Sequence, residues 1–284
     1  MSTFDQVRQQ TGVALISVLL IVAILMAVAS RLLASHNLVI NQHQNTFEQN
    51  QALHYALGAE TLASQALAED QKVSDTDHLG EVWAQQIMPF ELDEGGVLEA
   101  QLSDMQSCFN LNNLANEDFT EHLSSAKRLL QNLGLPEEFA DAWKDWVDSN
   151  QEVTDFGAED SEYLLAQPPH RTPNGPAGHI SELALLQNLT PEQYAELLPH
   201  VCVLPARSTK INVNTASSHT LAAWIPNADL GRLESLVLAE RNYEDVADFL
   251  NDIGANSPDV IEVASEHLSV QSEYFQLHAQ AQVG

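Results

Sequence analysis

Val13 to Ala29 form an apolar stretch of seventeen residues, interrupted only by Ser17. As a helix it spans about 25 Å, slightly less than the ~30 Å hydrocarbon core of a bilayer. Leu32 and Leu33 prolong it past Arg31, whose aliphatic stem can carry its charge to the interface. No other segment approaches this length and apolarity, so the rest of the chain is expected to be soluble. Downstream there is no proline through Leu67, and the first glycine is Gly58. Leu33, Ile40, Phe47, Leu53 and Leu57 recur every four to seven residues, which predicts one face of a continuing amphipathic helix. Unbroken from Val13 to Ala68, that helix would be about 80 Å long.

The periodicity then changes. Gly95-Gly96 reads as a turn, and Leu98, Ala100 and Leu102 alternate as in a strand. Near the carboxyl terminus Leu268 and Val270 alternate, and the phase shifts before Phe275, Leu277, Ala279 and Ala281, which predicts a bulge or turn near Tyr274. Between these strands the spacing is helical. Phe119, Leu123, Ala126, Leu129, Leu130 and Leu133 share a face that stops at Gly134. Glu137–Val147, Ser181–Leu189 and Pro191–Leu198 repeat the pattern. The expected class is α+β, with a helical region inserted between strands of one sheet.

Composition narrows the function. Forty acidic against eleven basic residues leave a net charge of −29, which disfavours nucleic acid and anionic membrane surfaces as partners. The segment Ile211-Asn212-Val213-Asn214-Thr215-Ala216 resembles the opening of helix-hairpin-helix modules that grip DNA phosphates. Its turn, Pro226-Asn227-Ala228-Asp229, supplies no glycine and adds a negative charge, so it reads as a packing unit. No HExxH, GxSxG, P-loop or GxGxxG motif stands in a suitable context, which argues against an enzyme. A carboxylate-pair hydrolase built on Asp148 and Glu159 is the remaining catalytic alternative. The two cysteines, Cys108 and Cys202, could close a disulfide in an oxidising compartment, and the spacing leaves open whether the sulfurs meet.

The chemistry concentrates in one place. Asp145, Asp148, Glu152, Asp155, Glu159, Asp160 and Glu162 follow one another with no lysine or arginine between Lys144 and Arg171. Crowded like charges call for a counter-ion, and calcium accepts about six to eight oxygen ligands in flexible geometry. Counting Asp148 as position one of an EF-hand puts Val153 where that loop needs glycine, so a different calcium loop is expected. Zinc is disfavoured because neither cysteine lies in the segment and no histidine does before His170.

Three readings compete for the amino terminus. Ala27-Val28-Ala29 offers a signal-peptidase site, but the apolar run exceeds the usual ~7–15 residues. An ordinary anchor is the second. The third uses Gly12, which ends a short polar leader directly before "VALISVLLIVAILMAVA". This resembles the class 3 signal of type IV pilins and type II secretion pseudopilins. The resemblance implies cleavage by prepilin peptidase between Gly12 and Val13, methylation of the new terminus, and retention of the helix. Those families usually carry glutamate at the fifth mature residue, where this chain has Ser17. A carboxylate in the bilayer needs a partner, and a subunit with no neighbour above it has none.

Ser17, together with "CFNLNNLA", "WVDSNQEVTDFGAEDSEY" and "INVNTA" at corresponding places, resembles the minor pseudopilin K family of type II secretion, general secretion pathway protein K. That resemblance implies a pilin-like long helix packed on an antiparallel sheet, with a large helical (SAM-like or helix-hairpin-helix-like) insert. The expected division is a leader at 1–12, a transmembrane part at 13–34, a pilin-like part at 35–111, the insert at 112–256, and terminal strands at 257–284. It implies calcium held by Asp148, Asn150, Glu159 and Asp160, with Asp145 and Asp155 as further candidates. The implied partners are other minor pseudopilins, the major pseudopilin, prepilin peptidase and the inner-membrane secretion platform. The implied function is structural, at the tip of a periplasmic pseudopilus that supports export of folded proteins. Its place would be the inner membrane, as a single-pass protein with its bulk in the periplasm. The alternative is a membrane-anchored acidic adaptor or calcium-binding protein unrelated to secretion filaments.

Overall fold

A computed structural model describes residues 11–85, 87–92, 95–116, 120–255 and 257–283. Residues 1–10 of the expected leader, and Phe119 at the expected start of a helix, lie outside the described residues. The chain divides into two compact units, 1–58 with 89–98 and 280–284, and 59–88 with 99–279.

Helix α1 (Thr11–Asp70) is sixty residues long, about 90 Å at the usual rise, and passes through the Gly12–Val13 junction. It is, among the described residues, the one helix long and apolar enough to cross a membrane. Its leucines, isoleucines and valines from Val13 to Leu33 are exposed, as suits a surface meant for lipid. Ser17 donates its hydroxyl to the Val13 carbonyl at 2.9 Å, so its polar group is satisfied within the helix.

The face expected to pack does not. Leu33, Ile40, Phe47, Leu53 and Leu57 are all exposed. The covered positions instead include Ala52, Ala56, Ala59, Ala63 and Ala66, three or four apart, together with half-buried Gln51, Tyr55 and Leu67, and Ala59 is the most enclosed at 4 %. Small side chains let neighbouring backbone approach closely, while hydrophobicity alone ranks leucine above alanine and points to the wrong stripe.

The strands β1 (Ile87–Leu92) and β2 (Gly96–Asp104) form a hairpin, and the last strand, β7 (Phe275–Val283), pairs with β2. Gly95 turns the hairpin with φ of 82°, and its N–H closes on the Leu92 carbonyl at 3.0 Å. A Cβ on Gly96 would stand 2.3 Å from the Gln282 backbone oxygen, while Met105 N–H donates to the Tyr274 carbonyl. The start of β2 thus faces the end of β7, and the sheet is antiparallel. The alternation expected for Leu98–Leu102 and Phe275–Ala281 appears as alternating coverage along both strands.

The helical region comprises α2 (Thr120–Asn132), α3 (Glu138–Val147), a single turn α4 (Asp160–Tyr163) and α5 (Pro191–Leu197). It continues through α6 (Ser218–Trp224), α7 (Leu230–Val237), α8 (Val246–Ile253) and α9 (Pro258–His267). The expected start of terminal strands at residue 257 is therefore corrected. Ten residues there form α9, whose Ala264 is fully enclosed in the helical core. Two short parallel pairs also interrupt the helices. β3 (Phe109–Asn110) pairs with β4 (Val201–Cys202), and β5 (Ile211–Asn212) with β6 (Leu268–Ser269). Trp143, Trp146, Tyr163, Phe109, Trp224 and Phe249 fill the core, with Phe109 and Trp224 stacked at 5.6 Å. Cys108 and Cys202 are joined, with sulfurs 2.08 Å apart, beside the β3–β4 pair.

Candidate metal centre

The last turn of α3 and the loop after it present the acidic side chains. Asp145 is buried on α3 because its face of the helix, shared with Asp141 and Ala142, packs inward. Its two oxygens accept the Thr154 N–H at 3.1 and 3.0 Å, folding the loop back over the helix end. Gly157 sits where that fold is tightest. A Cβ there would come within 1.8 Å of Asp145 Oδ2, so the close approach demands glycine. Asp148 ends α3, accepts the Asn150 N–H at 3.1 Å, and pairs with Lys144 at 3.2 Å. Asn150 in turn accepts the Glu152 N–H at 2.6 Å.

Glu159 closes the loop ahead of α4 and is 2 % exposed. Its Oε2 accepts from Thr172 Oγ1 at 3.2 Å, whereas Oε1 is buried with no hydrogen-bond partner among the described residues. Burial raises its pKa to about 7. The Thr172 bond opposes the rise, and the charges of Asp145, Asp148 and Asp160 add to it. Burial likewise raises Asp145, against the two Thr154 bonds. A carboxylate oxygen buried without a donor suits a cation ligand and hard oxygen donors suit calcium, but among the described residues the three acidic side chains whose oxygens approach within 4.8 Å of one another are found elsewhere, not in this loop.

The other candidates are placed differently. Asp160 binds Arg171 at 2.6 Å and accepts the Thr172 N–H at 3.1 Å, so its oxygens are already engaged. Asp155 is exposed. Thr172, missed by the sequence reading, is the donor that ties Glu159 to Asp160 and also bonds Asn174. Only the fold brings it to the loop, thirteen residues away from Glu159.

A second acidic group was not anticipated. Among the described residues, Asp70, Asp77 and Glu81 bring their oxygens within 4.8 Å of one another. Two of the three are supplied with donors. Glu81 accepts from Trp83 Nε1 at 2.7 Å and His78 N–H at 3.0 Å, and Asp77 accepts the Ser272 N–H at 2.7 Å. Burial pushes Asp77 up to about 6, with Glu81, Asp104 and Asp70 contributing repulsion.

The quoted asparagine motifs are structural. Asn112 donates to the carbonyls of Ala177 and Leu204 and accepts the Ala177 N–H at 2.8 Å. Asn110 and Asn113 similarly hold Leu204, Ala206 and Thr209. In "INVNTA", Asn214 exchanges both amide bonds with Tyr243, and Asn212 bridges Asp77, Asp104 and Ser272. The segment that resembles a DNA-binding hairpin thus spends its polar groups inside the protein.

Two family models, each described as "Type II secretion system (T2SS), protein K", match residues 107–206 and 211–271. Type II secretion system protein K of Pseudomonas aeruginosa is 36 % identical over 98 % of this chain and 86 % of its own length. That of Klebsiella pneumoniae is 35 % identical over 94 % and 87 %. The chain belongs to the type II secretion system protein K family. Its role is that of a minor pseudopilin, and the alternative of an unrelated acidic adaptor falls. The fold agrees. A chain of the solved GspK-GspI-GspJ complex from enterotoxigenic Escherichia coli superposes with a TM-score of 0.76 at 30 % identity, covering 85 % of this chain and 89 % of that one. The apolar amino-terminal helix of this minor pseudopilin suits a single-pass inner-membrane anchor with the bulk in the periplasm.

Proposed function

We propose that this minor pseudopilin caps the periplasmic pseudopilus, is cut after Gly12, is methylated at Val13, and holds calcium in the acidic loop. Ser17 carries the tip assignment. Its hydroxyl is satisfied by Val13 of the same helix, so this subunit asks for no partner from a subunit above it. The large helical body between β2 and β7 favours the same place, because it would hinder stacking of another subunit. The solved relative assembles with two further components, and smaller minor pseudopilins are accordingly the partners assigned here. The major pseudopilin would lie below them, with prepilin peptidase and the inner-membrane platform acting earlier. No catalytic role or nucleic-acid partner is assigned.

Asp145, Asp148 and Glu159 would form the heart of the calcium site, with Asn150 and Asp160 at its margin. The ion would neutralise carboxylates that burial otherwise keeps apart from water. Intact-mass and amino-terminal peptide analysis from membranes with and without prepilin peptidase tests the processing. A peptidase-dependent start at methylated Val13 is expected, and a start at Ser30 would refute it. A single label on this chain should mark one end of each purified filament, whereas labels along the shaft would sink the tip assignment. Calcium at about a hundred times its Kd should raise the unfolding free energy by about 2.7 kcal/mol, and no shift would remove the metal.

A further inference from the structure

Beside the carboxylate loop, and sharing Phe156, Gly157, Ala158 and Glu162 with it, the chain holds a cleft of about 310 Å³. Its floor is apolar, built from Pro136 and the enclosed Phe139, and its wall is the Phe156 ring, 67 % exposed. Two carboxylates, Glu138 and Glu162, stand on its rim, with the Gln193 amide nearby. None of the described lining residues is a lysine or arginine. The neighbouring cations are engaged elsewhere, Lys127 with Asp141, Lys144 with Asp148 and Arg171 with Asp160.

Glu162 is held by two bonds. Its Oε2 accepts from Ser161 Oγ at 2.6 Å and from the Glu159 N–H at 3.1 Å, which fixes its direction. Glu138 is exposed at the start of α3, so nothing forces it to be where it is for packing. An exposed aromatic face beside two carboxylates, above an apolar floor, is the chemistry that receives a cation on an aliphatic stem. The stem lies on the floor, the charge meets the carboxylates, and the ring face adds a cation–π contact. The volume is at the small end of the ~300–1,000 Å³ usual for ligand clefts, which suits one long side chain and its flanking backbone.

We propose that this cleft is a docking site for an arginine or lysine side chain projecting from a segment of another protein. Charge complementarity selects that occupant. A second copy of this chain brings a net charge of −29 and only eleven basic residues, so like-charge repulsion opposes self-association there. The proposal goes beyond the tip and calcium assignments. One wall of the cleft is continuous with the acidic loop, so the test is run at a fixed calcium concentration and its outcome stands apart from metal binding.

The experiment uses the full chain in detergent, with 4-fluorophenylalanine incorporated at position 156 as the reporter. Acetyl-Gly-Arg-Gly-amide is titrated against acetyl-Gly-citrulline-Gly-amide, which has the same shape and no charge. A saturable fluorine shift with the arginine peptide is expected, weakened about tenfold with citrulline and about as much by Glu138→Gln. Glu138 is exposed, so that variant keeps the fold. Equal responses to the two peptides, an unaltered response in Glu138→Gln, or no shift at all would overturn the proposal. A shift that tracks protein concentration without peptide would give the cleft to a second copy and overturn it equally.

Discussion

Glu159 shows how the burial of one residue sets a pH dependence. The folded chain holds its carboxyl protonated up to about pH 7, while an unfolded chain releases the proton near 4.5. Between those values the folded state binds more protons, so stability contributed by the neutral acid is present in acid and lost as pH rises through 7. Glu159→Gln should therefore be more stable than the natural protein above pH 7 in chelator, with the advantage shrinking toward pH 4.5. Calcium should reverse the order above pH 7, and chemical denaturation in each condition measures both. His122 has the opposite sign. Burial lowers its pKa from 6.5 to about 4, with His267, 4.8 Å away, adding repulsion. Around the pair, Glu121 and Glu266 favour protonation of His267 and Lys210 opposes it. The stability tied to neutral His122 is lost as pH falls from 6.5 to about 4, up to about 3 kcal/mol. His122→Phe should lose that dependence, so the difference between the two unfolding free energies should shift by this amount across the window. A flat difference would remove His122 as the cause.

At the scale of an element, α1 carries two stripes with different duties. The alanine stripe is covered within the chain, and the leucine stripe is exposed. Ala59→Leu should overpack the covered face and cost about 1–3 kcal/mol. Leu57→Ser should change the stability of the isolated chain by no more than about 0.5 kcal/mol. If Leu57→Ser proved the costlier of the two, the assignment of faces would be reversed. The β3–β4 pair and its disulfide form a second such element. The bond closes a loop with a sequence separation of 94 residues, and replacing both cysteines with serine should cost on the order of 4 kcal/mol. Comparable loss on reduction of the natural protein would attribute the effect to the bond itself.

For the whole molecule, local patterns carried the architecture further than they carried the site. Strand alternation at Leu98–Leu102 and Phe275–Ala281, the helices from 120 to 147, the Gly95 turn and the apolar segment were legible because each is set by neighbours within a few residues. The acidic segment was legible as charge, and the charges of Asp145, Asp148 and Asp160 do act on Glu159. Thr172, Gly157 and the Asp70–Asp77–Glu81 group were not, since their roles depend on loops that meet only after folding. The chain by itself determined the long apolar amino-terminal helix, the α+β class and the family's motifs, because periodicity and composition act along the sequence. Tertiary structure alone decided which stripe of α1 is covered, that Asp160 pairs with Arg171, that Glu159 is buried with one oxygen unpartnered, and that α9 joins the helical core. Each of those depends on burial, and burial is a property of residues brought together from distant parts of the chain.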